Sequence, residues 1–105
     1  MQAYAVPPKI EGTGRRPRVL VVEFDEPELV TLCRMLRTFG FDVTGVDSSM
    51  SGLALLSQLH ATDHQAQNFS GVMVELNMPV LGGLAFLQEM RERHADIPVM
   101  IDRKS

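Results

Sequence analysis

Apolar residues along the chain alternate between short unbroken runs and stretches with helical spacing. The first run, residues 19 to 22, is continuous and rich in valine, which is typical of a strand buried on both faces of a parallel sheet. A helix is predicted directly after it, because Asp25 and Glu28 have the spacing of a capping box, Pro27 falls in the first turn and Gly40 is a plausible terminator. One face of this helix carries an apolar stripe, formed by Leu29, Leu32, Cys33, Leu36 and Phe39.

The next part of the chain repeats this alternation. Residues 41 to 47 predict a second strand, and Ser48 and Ser49 offer N-caps for a second helix. The apolar residues of that helix are Leu53, Leu55, Leu56 and Leu59. Residues 61 to 70 are polar and irregular, so they predict a loop.

A third unit follows the loop. Residues 71 to 74 predict a strand, residues 77 to 83 are rich in turn formers, and a helix is then expected to run to about His94. Its apolar residues are Leu84, Phe86, Leu87 and Met90. Residues 97 to 101 predict a fourth strand, and strands that alternate with helices imply a parallel sheet with helices on both faces.

The start of the chain differs from the rest. Residues 1 to 17 lack helical or strand periodicity and contain several prolines and glycines, the composition of a flexible N-terminal arm. Residues 18 to 105 are expected to form one domain, because 105 residues are too few for two domains of ordinary size.

Composition and charge exclude several classes of protein. A net charge of -3, from 10 basic and 13 acidic residues, does not indicate a binder of nucleic acid or of membrane surfaces. Cys33 is the single cysteine, so we expect a small core residue in a reducing compartment. No apolar stretch approaches the roughly 18 residues of a membrane span, and the start has no secretory pattern. The cytoplasm is the expected location.

Two segments are similar to motifs of one protein family. Residues 19 to 29 (VLVVEFDEPEL) resemble the opening of a bacterial response-regulator receiver domain, where an apolar strand ends in a cluster of acids. Residues 75 to 83 (ELNMPVLGG) resemble the family's Asp-Leu-x-Met-Pro-x-Met-Asp-Gly signature. The resemblance covers about residues 18 to 102 and implies an α/β fold: a flavodoxin-like, doubly wound parallel sheet, here incomplete, with about four strands and three helices.

The phosphate-accepting position departs from the family. In active receivers the third strand ends in an aspartate that accepts a phosphoryl group from a partner kinase, and this chain has Glu75 there. Glutamate places its carboxylate one methylene farther out, roughly 1.5 Å, which is a large displacement for in-line phosphoryl transfer. Glu75 is therefore predicted to be a degenerate phosphoacceptor position, although its charge could still mimic an acyl phosphate weakly.

The acidic pocket departs as well. Two acids after the first strand hold Mg²⁺ in the family, whereas the pair aligns here as Glu23 and Phe24, with Asp25 beyond them. A phenyl ring supplies no oxygen ligand, so no metal and no cofactor are predicted, although Glu23 and Glu75 with the carbonyl of Asn77 could hold a cation weakly. Asp25 is more simply a helix N-cap, and Phe24 is either a contact aromatic or a core ring.

Three residues are expected at the rim of this pocket: Asn77, Asp102 and Lys104. The family's fourth strand usually ends in a threonine or serine that hydrogen-bonds the phosphoryl group, whereas Asp102 would repel it. The family's lysine belongs to a fifth strand, which this sequence does not reach, and Lys104 is close to the terminus.

The resemblance also predicts an interface. Because the family's fifth strand and its flanking helices are missing from this sequence, residues 97 to 101 would form an apolar edge strand that Pro98 protects at one end only. We expect a protein partner or a second copy of the chain to cover this edge, the latter as a C₂ dimer. The side chains expected there are Leu36, Phe39, Leu87, Met90, Ile97, Val99, Met100 and Ile101.

The departures predict a non-phosphorylatable pseudo-receiver that works in two-component signalling through protein contacts and is not an enzyme. Nucleic acid, membrane and small-molecule substrates are not expected as partners. Two alternatives stay open: a residual phosphoacceptor component of a phosphorelay, with Asp25 or Asp47 as acceptor, and the N-terminal part of a longer response regulator.

Overall fold

A computed structural model describes residues 16 to 61, 69 to 75 and 82 to 102. Its strands are β1 (Arg18–Val22), β2 (Asp42–Val46), β3 (Gly71–Glu75) and β4 (Val99–Asp102). Its helices are α1 (Glu26–Thr38), α2 (Ser49–Ala61) and α3 (Gly82–Arg93). Residues 1 to 15 of the predicted arm, most of the loop at residues 61 to 70 and most of the turn at residues 77 to 83 lie outside the described residues.

The four strands form one parallel sheet in the order β2-β1-β3-β4. This arrangement confirms the predicted α/β sheet, with β1 and β3 in its centre. All carboxyl ends of the strands therefore meet at one edge, which is where ligands bind in open sheets of this kind.

The two faces of the sheet are covered by different helices. Leu20, Val22, Val72 and Val74 point to the face of α2 and α3, where they join the largest buried cluster around Phe86. The alternate strand residues point to α1 and form a smaller cluster: the buried Val21, Cys33 and Val43 with the partly buried Val19, Leu29, Leu32, Leu36, Phe41 and Met73.

Helix α1 begins and ends by different means. Asp25 occupies the N-cap position, but its side chain makes no capping hydrogen bond, so the predicted capping box is wrong. One reason is that Pro27, in the first turn, has no N–H to donate. At the other end Gly40 has φ 98°, and the N–H groups of Gly40 and Phe41 donate to the carbonyls of Arg37 and Leu36. This Schellman motif confirms Gly40 as the terminator.

The structure locates the start of α2 and the start of β4 more closely than the sequence does. The N–H of Ser51 donates to the hydroxyl of Ser48 at 3.0 Å, so Ser48 is the N-cap of α2. The fourth strand begins at Val99 rather than at Ile97, because the N–H of Ile97 donates to the carbonyl of His94 and closes a turn after α3. The strand ends at Asp102, whose pairing with Glu75 brings its carboxylate to the edge where β3 ends.

Candidate functional site

Three carboxylates converge at the carboxyl edge of the sheet. Glu23 follows β1, Glu75 is the last residue of β3, and Asp102 is the last residue of β4. One oxygen from each of the three lies within 4.8 Å of the other two. The register explains this, because Glu75 is the direct pairing partner of Asp102 and β1 is the other neighbour of β3.

Burial makes this cluster unusual for a group of acids. Glu23 is 1% exposed and Glu75 is 2% exposed, while Asp102 is partly exposed. The backbone N–H of Asp25 donates to Oε2 of Glu23 at 3.1 Å, which stabilises one of the carboxylates. Three ionised carboxylates at this spacing repel one another more strongly than they would in water, because the surrounding protein screens them less.

The residue types and the spacing of the three carboxylates would allow a cation to bind. Carboxylate oxygens are ligands that Mg²⁺ accepts, and the family's magnesium site lies at this edge. Magnesium prefers octahedral oxygen ligands, and Phe24 supplies none at the position of the family's second metal-binding acid. We therefore derive no chemistry through a metal here.

The two neighbours of Glu23 lie apart from the cluster. Phe24 is 47% exposed, so it is a surface ring rather than a core ring. Asp25 is partly exposed at the start of α1, and the part of it that contacts the cluster is its backbone N–H. Asn77 and Lys104 lie outside the described residues.

Sequence reasoning placed Asp102 at the rim of the pocket, whereas the structure brings it into the acidic cluster. The cause is the shifted fourth strand, which extends to Asp102 and pairs it with Glu75. A signal was present in the sequence: the family's phosphoryl-binding hydroxyl at that position also points at the acceptor, so an acid there approaches Glu75.

The predicted interface residues are divided between the two faces of the sheet and its β4 edge. Met100 and Ile101 are 62% and 48% exposed, whereas Met90 is 2% exposed and belongs to the core. Leu36 lines a groove on the α1 face, and Leu87 lines another groove beside α3. The remaining three are partly buried: Phe39, Ile97 and Val99.

Cys33 is buried between α1 and β2, as predicted for a small core residue. An added methyl group at Gly45 would come within 2.7 Å of the Cys33 sulfur. Burial raises the pKa of the Cys33 thiol above its ordinary value, and the Arg37 guanidinium offsets part of that rise. The protonated form is thus favoured, which is the opposite of a reactive thiolate.

No helix within the described residues is both long enough and apolar enough to cross a membrane.

The chain is similar to curated bacterial proteins. It is 38% identical over 86 residues to the transcriptional regulatory protein PrrA of Mycobacterium tuberculosis and to that of Mycobacterium bovis. It is 34% identical over 85 residues to PrrA of Mycobacterium leprae. Each alignment covers 81% of this chain but only 33% of the relative, so the chain spans about a third of the length of these proteins.

Solved structures share the fold. A response-regulator receiver domain protein from Clostridium thermocellum superposes with a TM-score of 0.72 at 22% identity, over 83% of this chain and 64% of the other. The FixJ-N crystal structure superposes with a TM-score of 0.70 at 24% identity, over 85% of this chain and 65% of the other. No family model matches the sequence.

Proposed function

We propose that this chain, which belongs to the response-regulator receiver family of two-component signalling, is a pseudo-receiver that takes up no phosphate and works through protein contacts. Receivers of this family serve in signalling rather than in catalysis of their own. In this proposal the chain is not an enzyme and needs neither metal nor cofactor.

The acidic cluster is the observation that carries the proposal. A phosphoryl group on Glu75 would bring additional negative charge next to Asp102 and Glu23, whose carboxylate oxygens lie within 4.8 Å of its own. Active receivers oppose that charge with a cation and a hydroxyl donor. Here the hydroxyl position holds a carboxylate, so the local field favours the unmodified side chain.

The burial of Glu75 supports the same conclusion. Phosphoryl transfer requires the donor phosphorus, the attacking oxygen and the leaving oxygen to lie roughly in line. Glu75 is 2% exposed, so a phosphodonor has little access to its carboxylate in this conformation. Phe24 replaces one of the family's metal-binding acids and is turned to solvent.

The experiment is incubation of the full chain with acetyl phosphate and Mg²⁺, followed by intact mass spectrometry. We expect the unmodified mass at every time point. The Glu75→Gln variant serves as the control, because it keeps the side-chain shape and removes the acceptor. A phosphoryl adduct that forms on the wild type and is lost in Glu75→Gln would overturn the proposal.

The same experiment tests the alternative acceptors. Asp47 is exposed after β2, and Asp25 is partly exposed after β1, so both are reachable from solvent. An adduct that persists in Glu75→Gln but disappears in Asp25→Asn or Asp47→Asn would assign a residual phosphoacceptor function. Titration with Mg²⁺ observed by NMR completes the test, and we expect no specific shifts around Glu23 and Glu75 at low millimolar metal.

The protein contact that we propose is pairing at the β4 edge. In the described part of the chain β4 has a pairing partner only on the β3 side, and Ile101 on it is 48% exposed. Uncovered apolar strands at a sheet edge are sites of association. Two copies that meet there form an isologous contact, in which each residue faces the same set in its partner.

Light scattering over a concentration series measures this association. We expect an apparent mass that rises toward a dimer in the wild type and a weaker rise in Ile101→Lys, which places an unpaired charge in the contact. Val30→Lys is the matched control, because Val30 is 46% exposed and lies on α1. A constant monomer mass in the wild type would refute the pairing.

A further inference from the structure

The face of the sheet that carries α1 has an open apolar groove over β3 and β4. Val19, Gly71, Met73 and Met100 form its floor, and its volume is about 230 Å³. Leu36 and Phe41, at the end of α1, form one wall. The remaining lining residues are Val72, Pro98 and Val99, so none of the described residues that line this groove has a charged side chain.

The local structure keeps this groove open. An added methyl group at Gly71 would meet only the carbonyl oxygen of Pro98, at 3.7 Å, so the missing side chain lowers the floor between β1 and β4. The Schellman motif at the end of α1 joins the N–H of Phe41 to the carbonyl of Leu36 at 3.1 Å, which holds the wall in place. Met100, on the floor of the groove, is 62% exposed.

We propose that this groove is the docking site of the chain's own N-terminal arm, through the apolar stretch of residues 4 to 10. The inference rests on the proposed function, because that function already assigns the β4 edge to a protein partner. The arm covers the α1 side of β3 and β4, and the β4 edge with its α3 side remains for a partner.

The attachment point of the arm favours this occupant. The carbonyl of Pro17 accepts a hydrogen bond from the N–H of Asp42 at 2.9 Å, and the carbonyl of Arg18 accepts one from Ser70 at 2.7 Å. The Arg18 guanidinium lies 4.7 Å from the centre of the Phe69 ring. The chain is thus held at the amino ends of the strands, one residue before Val19 on the groove floor.

Composition distinguishes the arm from the other segments outside the described residues. Residues 62 to 68 (TDHQAQN) also join the amino end of the sheet, but they are polar. Residues 76 to 81 follow β3, and residues 103 to 105 (RKS) follow β4. Both segments are therefore attached at the carboxyl edge of the sheet, away from the amino end. Residues 4 to 10 (YAVPPKI) contain one alanine and five larger apolar residues. They also belong to the segment that is attached at the amino end of the sheet, next to the groove.

The volume of the groove suits a few apolar side chains of a segment that crosses it rather than a whole small-molecule ligand. Its volume of about 230 Å³ is below the roughly 300 to 1,000 Å³ of typical small-molecule sites. Pro7 and Pro8 favour an extended polyproline conformation, which docks on apolar grooves lined by aromatic residues such as Phe41. A tether of this length supplies an effective concentration on the order of millimolar, so even a weak contact is substantially occupied.

The chain contains its own reporter for this contact. Tyr4 is the only tyrosine and the protein has no tryptophan, so tyrosine fluorescence reports on the arm alone. The experiment is acrylamide quenching of the full chain at concentrations below those at which light scattering shows association. We expect the quenching constant to be about two-fold lower than in guanidinium, because half occupancy of the groove would shield half of the molecules.

Two variants with the same substitution test the location. Met100→Lys places a charge in the groove and should raise the quenching constant toward the value of the unfolded chain. Met50→Lys is the matched control, because Met50 is 64% exposed and lies at the start of α2, on the other face. Val6→Asp combined with Ile10→Asp should release Tyr4 with the groove intact.

Three results would overturn the docking of the arm. They are a wild-type quenching constant equal to that in guanidinium, the same constant in Met100→Lys as in wild type, and protection that grows with protein concentration. The last result would assign the groove to a second copy. The mass spectrum and the light scattering of Ile101→Lys test the proposed function and do not depend on where the arm lies. A failure of the arm proposal is therefore distinguishable from a failure of the proposed function.

Discussion

The two faces of the sheet receive similar strand residues but are covered to different extents. On the face of α2 and α3, eight residues form a buried cluster that includes Phe86 at 0% and Met90 at 2% exposure. On the face of α1, the described residues form a buried cluster of three, and each of the two clusters has six partly buried neighbours. Within the described ranges, α1 covers β1 and β2 there, and no described helix covers β3 and β4 on that side.

Because the two faces are covered to different extents, we expect one face to contribute mainly to the stability of the fold and the other mainly to contacts with other molecules. Apolar burial supplies roughly 25 cal/mol per Å², so the well-covered face contributes most of the folding free energy. The half-covered face contributes less, but it displays the groove and one side of the β4 edge. We therefore expect mutations on the first face to act mainly on folding, and mutations on the second face to act mainly on association.

The largest expected effect is the loss of a ring from the well-covered face. Phe86→Ala should lower the free energy of unfolding by about 3–5 kcal/mol, because it leaves a cavity beneath β1 and β3. Phe41→Ala removes the same ring from the half-covered face, where the ring is partly exposed, and should cost about 1–2 kcal/mol. Urea denaturation measures both, and equal losses would contradict the difference between the faces.

A smaller effect is expected from overpacking at Gly45 on the α1 face. The added methyl group of Gly45→Ala would lie 2.7 Å from the Cys33 sulfur and 3.1 Å from Cδ1 of Leu29, so we expect a loss of about 1–3 kcal/mol. Cys33→Ala should relieve much of this clash in the double variant. A double-mutant cycle by urea denaturation checks this, and strict additivity would show that the sulfur is not the obstacle.

Gly52 provides the matching test on the opposite face. Its added methyl group would lie 3.2 Å from Cγ2 of Val22 and 3.3 Å from Cε1 of Phe86, so it needs a smaller adjustment than at Gly45. Alanine also gains up to about 1 kcal/mol of helix propensity at this position in α2. We expect Gly52→Ala to change the free energy of unfolding by less than about 1 kcal/mol. A loss larger than that of Gly45→Ala would contradict the order that these contact distances predict for the two glycines.

The smallest effect concerns alkaline pH. Burial raises the pKa of the Cys33 thiol above its ordinary value of 9.0, so folding favours the protonated thiol. This contribution to stability is fully present below pH 9 and is lost as the pH rises through the folded-state pKa. The stability advantage of the wild type over Cys33→Ala, measured as free energy of unfolding, should therefore decrease above pH 9. The decrease should be at most about 1.4 kcal/mol per pH unit. A difference that stays constant from pH 7 to 10 would contradict this.

The pattern of the sequence was sufficient for the order of elements and for the parallel sheet. The unbroken run at residues 19 to 22 and the apolar stripe after it determine a buried strand followed by an amphipathic helix. Gly40 and Ser48 determine two helix boundaries, because a left-handed residue and a side-chain oxygen act locally. The motif similarity placed Glu23 and Glu75 at one edge of the sheet.

Only the tertiary structure decided what depends on strand register and on coverage of the faces. The convergence of Asp102 with Glu23 and Glu75 follows from the pairing of β4 with β3, and a shift of one residue would turn Asp102 to the other face. Likewise, Met90 and Met100 both belong to apolar stretches of the sequence, yet one is buried and the other exposed. Periodicity shows that a residue prefers burial, but the number of helices on each face decides whether anything covers it.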